Sequence, residues 1–345
     1  MELNNIVNQF INATNYHTFS VANGLINSTY ILENNDKDEK FILQKINTQV
    51  FKNPGSIVNN HLEINLLLHK SDYKLQVVEP IASLHNDFVV KDENGCFWRM
   101  LSYIQSSITF LKVPDKETAF RAAKTFSYFL NTINEGELPK LEITLPDFLN
   151  FEKRISDYKN SLKNADPILI KNAENEIDYA DQLLSLPEKW ITMVNTGMLP
   201  PRIIHADAKI SNILFSENKI PIAVIDLDTV MLSTILYDFG TMIQSYTNKT
   251  NEDDGKAKNN FDAEIYEAVK DGFLFHLKEK LTPEESENLD YAGQAAIYIQ
   301  MIRFLSDYLN GSIYYSVQYP EHNLDRTKNQ IQLLKGLMEY LRICP

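Results

Sequence analysis

The sequence is poor in cysteine, in glycine, in positive charge and in long apolar runs, and each scarcity excludes something. Two cysteines, Cys96 and Cys344, lie far apart in 345 residues, so no disulfide framework is expected and a reducing compartment suits the chain. Lysine and arginine number 33 against 46 acidic residues, a formal net charge of −13. Nucleic-acid binding needs basic patches that displace counterions, and an acidic surface is not drawn to an anionic membrane. No apolar run approaches the roughly 20 residues of a membrane span. Asparagines interrupt residues 1–14, which do not read as a signal peptide. The expected partners are small molecules, in the cytoplasm, bound by a monomer or weak dimer. What remains is ordinary globular material, 44% hydrophobic and 23% charged, long enough for two lobes.

The most informative stretch is 203–230. It carries His205, Asp207, Lys209 and Asn212 in the order H-x-D-x-K-x-x-N, then an apolar run, 222–225, that ends on Asp226. This is the spacing of a kinase catalytic loop, in which the aspartate receives the acceptor hydroxyl and the asparagine holds a metal ion. A strand-terminal carboxylate near that asparagine is what Mg²⁺ needs beside a triphosphate, because a hard cation that keeps several waters asks for few protein oxygens. Lys209 could stabilise γ-phosphate charge, while His205 reads as a prop for the loop. Taken singly, Asp207 could be a helix N-cap and Asp226 and Asp228 turn residues; the joint pattern favours the site.

The first hundred residues read as β-rich with one helix. Two strand-like runs within 19–32 flank Asn23-Gly24, a hairpin signal. In a kinase this hairpin covers phosphates with a glycine-rich loop, but Gly24 is the single glycine here. The run 41–46 places Lys45 near the end of a strand, where kinases pair a lysine with the α- and β-phosphates. A helix over 59–70 puts Leu62, Leu66 and His69 on one side and leaves Glu63 available to Lys45. Further strands are expected at 75–78, 87–90 and 96–104, and the last runs into a polar hinge. There the backbone of 102–104, with Tyr103 and Ile104, is the natural partner for an adenine edge.

Beyond Asp115 the character is helical. Asp115 can cap a helix to Asn134 whose apolar face is Ala119, Ala122, Phe126, Phe129, Leu130 and Ile133. Helices are also expected at 151–163, 171–186, 261–280, 283–310 and 324–341, the fourth of these opening on the capping box Thr282-Pro283-Glu284-Glu285. The polar segment 248–260 reads as a mobile surface loop. Asp238 reads equally as a structural carboxylate or an N-cap, and Arg303 either pairs with Asp307 on the surface or faces the cleft. Expected lobes are 1–104 for nucleotide and 116–345 for catalysis and substrate, joined by 105–115.

The pattern H-x-D-x-K-x-x-N followed by V-I-D-x-D resembles the aminoglycoside phosphotransferase and choline kinase superfamily. More narrowly, the stretches 23–30, 41–51, 205–214, 224–231, 303–315 and 323–326 are similar to the N-acetylhexosamine 1-kinases. The resemblance implies an α+β, protein-kinase-like fold of two lobes that transfers phosphate from ATP to the anomeric hydroxyl of a sugar. It implies Asp207 as catalytic base assisted by Lys209, and Asn212 and Asp226 as Mg²⁺ ligands. Gly24, Asn27, Lys45, Glu63, Tyr103 and Ile104 become nucleotide contacts, and Asp207, Asp228, Thr229, Arg303 and Tyr314 substrate contacts. Three departures stand out: Ala206 where relatives usually carry glycine or asparagine, Asp228 where classical kinases have Phe-Gly, and the glycine-poor hairpin. A cationic acceptor is the alternative, for which Glu252, Asp253 and Asp254 could supply carboxylates; a silent binding protein has no reason to keep the three site residues.

Overall fold

The computed structural model of the chain describes residues 2–12, 15–21, 26–34 and 36–343. They gather into two compact units. One holds residues up to 109 with 132–146 and 212–231; the other holds 110–131, 147–211 and the chain from 232 onward.

The first unit is built on an antiparallel sheet of β1 (His17–Val21), β2 (Ser28–Asn34), β3 (Glu39–Ile46), β4 (Pro80–Ile81), β5 (Val90–Lys91) and β6 (Phe97–Ser102), in the order β1-β2-β3-β6-β4 with β5 on β6. Alternation along β3 sends its residues to opposite faces. Leu43 joins Leu32, Trp98 and Met100 against Ile6, Val7 and Phe10 of helix α1 (Glu2–Phe10). Ile46 packs on the other face with Phe51 and Ile57, the last from helix α2 (Pro54–Lys70). The expected strand at 75–78 is absent from the sheet, and the edge is made instead by the short β4 and β5.

Helix α2 corrects the sequence reading of its faces. Leu66 is 46% exposed and His69 is exposed, while Ile57, Ile64 and Leu68 are buried beside Asn60, His61 and Asn65. The polar side chains tolerate burial because each finds a backbone partner. Asn60 exchanges two hydrogen bonds with the backbone of Glu142, and His61 Nε2 and Asn65 Nδ2 both meet the carbonyl of Val78. A two-stranded ribbon, Ile213–Phe215 against Pro221–Val224, completes this unit.

The second unit is helical. Helix α3 (Lys116–Ile133) starts where Asp115 accepts from the amide of Thr118 at 2.8 Å, and the whole expected apolar face is buried. Helices α4 (Phe151–Asn164), α5 (Pro167–Asn172), α6 (Glu174–Gln182) and α7 (Ser185–Asn195) follow; the helix expected at 171–186 is broken among the last three. Next come α8 (Leu236–Tyr246), α9 (Ala263–Leu277), α10 (Pro283–Glu287), α11 (Leu289–Leu309) and α12 (His322–Tyr340), the expected 283–310 helix dividing at Asn288. Almost every residue of α11 is buried, and α4, α7, α8 and α12 pack around it. At Gly240 of α8 a Cβ would stand 2.6 Å from the carbonyl of Ala292, so only glycine permits this approach of α8 to α11. The loop expected to move freely at 248–260 is pinned: Asn329 of α12, fully buried, bonds to Asn248, Thr250, Asn251 and Asp254.

Candidate active site

In the second unit the loop that carries His205, Asp207 and Lys209 hangs from one buried carboxylate. Asp238, in the first turn of α8, accepts hydrogen bonds from the backbone amides of His205 and Ala206, both at 2.7 Å. Ala206 reaches that geometry only by turning left-handed, at φ 63°. Burial pushes the Asp238 carboxyl up to about 7 against the pull of those two donors, and the charge of Asp207 pushes the same way. Asp238 is therefore the structural carboxylate and not a cap. The ring of His205 is enclosed edge-on by Phe126 and Phe129, and its Nδ1 accepts from the amide of Asp207 at 3.3 Å. His205 props the loop, as its enclosure demands. Asp207 is left half-buried with Lys209 Nζ 2.9 Å from its carboxylate.

Around this loop the second unit presents tyrosine and arginine. Burial raises the phenol of Tyr237, which feels Arg303 on one hand and Asp207 and Asp238 on the other. Arg303 does not pair with Asp307. Asp307 is buried and spent on the backbone amides of Ile313, Tyr314 and Tyr315 and on Asn323. Arg303 instead donates to Gln300 and lies 5.7 Å from the ring of Tyr315 and 5.9 Å from that of Phe148, with no carboxylate partner among the described residues. A pocket of about 340 Å³ opens here, lined by Arg154, Asp157, Arg303, Asp307, Tyr314 and Tyr315 among others. Burial and then the neighbouring Arg303 depress the Arg154 guanidinium, so two positive groups share the pocket. Its carboxylates have cationic or amide neighbours, Asp307 as above and Asp157 in surface pairs with Lys153 at 3.0 Å and Arg154 at 3.8 Å.

The first unit carries the remaining candidates. The amide of Ile225 donates to the carbonyl of Asn212 at 2.9 Å, so Asn212 and Asp226 lie at one end of the two-stranded ribbon. Asp226 is exposed and left-handed, at φ 62°. Two hard oxygen donors at one ribbon end suit Mg²⁺, which takes one or two protein oxygens and leaves its other positions to phosphate and water. Asp228 turns the opposite way: buried, it lies 2.6 Å from Arg99 and accepts from Asn27. Thr229 is buried in the same turn. Lys45 and Glu63 are not brought together. Lys45 stands on the face of Trp98, 5.9 Å from its ring, with Cys96 as its hydrogen-bonding neighbour, whereas Glu63 is exposed on α2. Gln44, the next residue back, occupies the α2 side of β3. After β6 the carbonyl of Ile104 accepts from Ser107 and the amide of Ser102 is taken by the carbonyl of Glu79; the ring of Tyr103 lies 5.8 Å from Lys40. Gly24 falls outside the described residues. Sequence reasoning passed over Arg99, although an arginine inside an apolar strand was a visible signal, and over Tyr237 and Arg154, which carried none.

Strand-rich first unit, helical second unit and a D-x-K-x-x-N loop hung from a buried carboxylate define a phosphotransferase of the protein-kinase-like fold. Residues 20–276 match the model of the phosphotransferase enzyme family APH, and the chain belongs to that family. Its fold is shared by an aminoglycoside phosphotransferase from Alicyclobacillus acidocaldarius subsp. acidocaldarius (TM-score 0.64, 13% identity, 97% of this chain and 94% of that one). A microcompartment-associated aminopropanol kinase superposes as well (TM-score 0.64, 14% identity, covering 98% and 97%). So does a spectinomycin phosphotransferase in complex with ADP and spectinomycin (TM-score 0.58, 12% identity, covering 95% and 93%).

Proposed function

We propose that the chain is an ATP-dependent sugar 1-kinase, which phosphorylates the anomeric hydroxyl of a hexose and takes an N-acetylhexosamine as substrate. The observation that carries the acceptor reading is the second-unit pocket. Its two guanidinium groups, aromatic rings and partnered carboxylates suit a neutral molecule rich in hydroxyl and carbonyl oxygens. A cationic acceptor such as choline or an aminoglycoside asks for free carboxylates. Glu252, a candidate for that role, is outnumbered by Arg326, Lys209 and Arg303. ATP as donor is supported by the ADP held by the spectinomycin phosphotransferase of similar fold.

In this reading Asp207 orients the acceptor hydroxyl and receives its proton as the oxygen–phosphorus bond forms and ADP leaves. Lys209 holds the Asp207 carboxylate in place from 2.9 Å and adds positive charge beside the transferred group. Arg303 and Tyr314 contact the sugar. Asn212 and Asp226 would hold Mg²⁺, which when bound neutralises phosphate charge. Asp228 and Thr229, the other substrate contacts the resemblance implies, are buried in the first unit, Asp228 against Arg99 and Asn27.

The test is ATP consumption with Mg²⁺ against N-acetylglucosamine, N-acetylgalactosamine, glucose, galactose, choline, homoserine, aminopropanol and kanamycin. Turnover on an N-acetylhexosamine is expected, reduced about 10²-fold or more in Asp207→Asn. Turnover confined to the amino alcohols or kanamycin would replace the acceptor reading and leave the phosphotransferase standing.

A further inference from the structure

The first unit buries an ion pair that no part of the reaction described so far uses. Arg99 on β6 is 2% exposed; its Nε donates to Gln44 Oε1 at 2.9 Å and its Nη2 lies 2.6 Å from Asp228 Oδ1. Gln44 in turn donates to Thr29 of β2 at 3.0 Å. The other oxygen of Asp228 accepts from Asn27 Nδ2 at 2.8 Å, and Asn27 Oδ1 accepts from the amide of Asn47 at the end of β3. The backbone carbonyl of Asp228 accepts from Thr144, and α2 packs on the same turn. One buried arginine thus joins β2, β3 and β6 to the turn that bears Asp226.

A buried ion pair is a poor device for stability, since desolvation of both charges offsets their attraction and apolar replacements of similar size are commonly as stable. It is a good device for holding a conformation that the backbone would otherwise leave. Asp226 is in such a conformation, left-handed without being glycine, and strained residues persist where their surroundings over-determine them. Asp228 is fixed two residues further on. Gln44 stands opposite Arg99 in the β3–β6 register, while Lys40, further along the same face of β3, pairs with Glu33, so Arg99 is the cation beside Asp228.

We propose that Arg99, through Asp228, is a positioning residue that orients the Asp226 carboxylate for the divalent cation of a nucleotide. The inference rests on Asp226 acting as a metal ligand. It is tested by binding rather than turnover: calorimetric titration of ADP into the full-length protein at graded Mg²⁺ concentrations, for wild type, Arg99→Met, Arg99→Lys and Asp228→Asn. In Arg99→Met the Mg²⁺ concentration for half-maximal enhancement of ADP binding should rise by about 10-fold or more, as expected when the partner of a metal ligand is lost. ADP affinity without Mg²⁺ should stay within about twofold, and Arg99→Lys should recover part of the loss. Asp228→Asn, which keeps the shape of the side chain, should show the same Mg²⁺ shift and decides the matter if Arg99→Met does not fold. A folded Arg99→Met or Asp228→Asn with wild-type Mg²⁺ dependence overturns the proposal alone. Wild-type protein whose ADP binding ignores Mg²⁺ overturns both the proposal and the metal reading beneath it.

Discussion

At Ala206 the loop that bears Asp207 takes a backbone conformation that alanine bears badly, because the left-handed region brings Cβ against the following carbonyl, at a cost of about 1–2 kcal/mol. Asp238 imposes it, by drawing two successive amides onto one carboxylate. Glycine would remove that strain while adding about 0.5–1 kcal/mol of unfolded-state entropy, so Ala206→Gly should unfold within a few degrees of wild type and keep its activity. Ala206→Val should do neither, since a β-branched side chain in the left-handed region meets the same carbonyl with more bulk in a site that is 2% exposed. Thermal unfolding and ATP turnover of the two variants check this; equal behaviour of both would mean that the loop relaxes and Asp238 does not dictate its shape. The same reasoning explains why glycine and asparagine suit this position, which the sequence showed only as an unexplained departure. Lys45 illustrates what a strand conceals at this scale. One step along β3 changes the face of the sheet, so Lys45 stands over Trp98 while Gln44 takes the side on which α2 packs.

Among the elements, α10 shows how a local signal can hide a distant one. Its capping box was legible from Thr282 and Glu285, and both halves of it form. Nothing local announced that the Glu285 carboxylate, fully buried, would also take a two-pronged bond from Arg202 at 2.7 and 2.6 Å. Removing one side of such a pair strands the other charge in the interior. Arg202→Met should therefore destabilise the protein by about 3–5 kcal/mol, whereas the double variant with Glu285→Gln should recover a good part of it. Denaturant titration of the single and double variants measures the difference, and a loss below about 1 kcal/mol in the single variant would refute the argument. The helices themselves divide by how they satisfy their buried faces. The apolar face of α3 was readable residue by residue because Ala119, Ala122, Phe126, Phe129, Leu130 and Ile133 repeat at helical spacing, and all are buried. The face of α2 was not, because its core side carries Asn60, His61 and Asn65, whose burial depends on carbonyls of Val78 and Glu142 that come from elsewhere in the chain. For the same reason the D-x-K-x-x-N loop and the ribbon with Asp226 could be found by spacing, while the Arg99–Asp228 pair, assembled by tertiary structure alone, could not.

For the whole molecule, two buried titratable groups give the stability a pH dependence whose parts have opposite sign. Burial, aided by the charge of Arg99, lowers His61 from its ordinary 6.5 to about 4. Between those values the unfolded chain takes up a proton that the native one refuses, so His61 costs stability as pH falls from 6.5 towards 4. Asp238 is raised to about 7, so across the window between the ordinary 3.8 and 7 the native state keeps a proton that the unfolded chain releases. Its contribution therefore improves as pH falls through that same window. Each pKa unit is worth about 1.4 kcal/mol, so each group alone is worth a few kcal/mol at its limit, and over pH 4–6.5 they largely offset one another. The wild type should accordingly show a shallow acid limb, and single variants should expose the two components. Relative to wild type, His61→Gln should gain stability on going from pH 7.5 to pH 5, and Asp238→Asn should lose it. Melting temperatures measured at intervals between pH 4.5 and 8 decide the matter. Parallel curves for wild type and His61→Gln would mean that His61 titrates freely and is not enclosed beside Arg99. Parallel curves for Asp238→Asn would mean that the two amides of the loop that bears Asp207 hold Asp238 ionised throughout, which would leave the loop anchored by a full charge at every pH at which the enzyme is active.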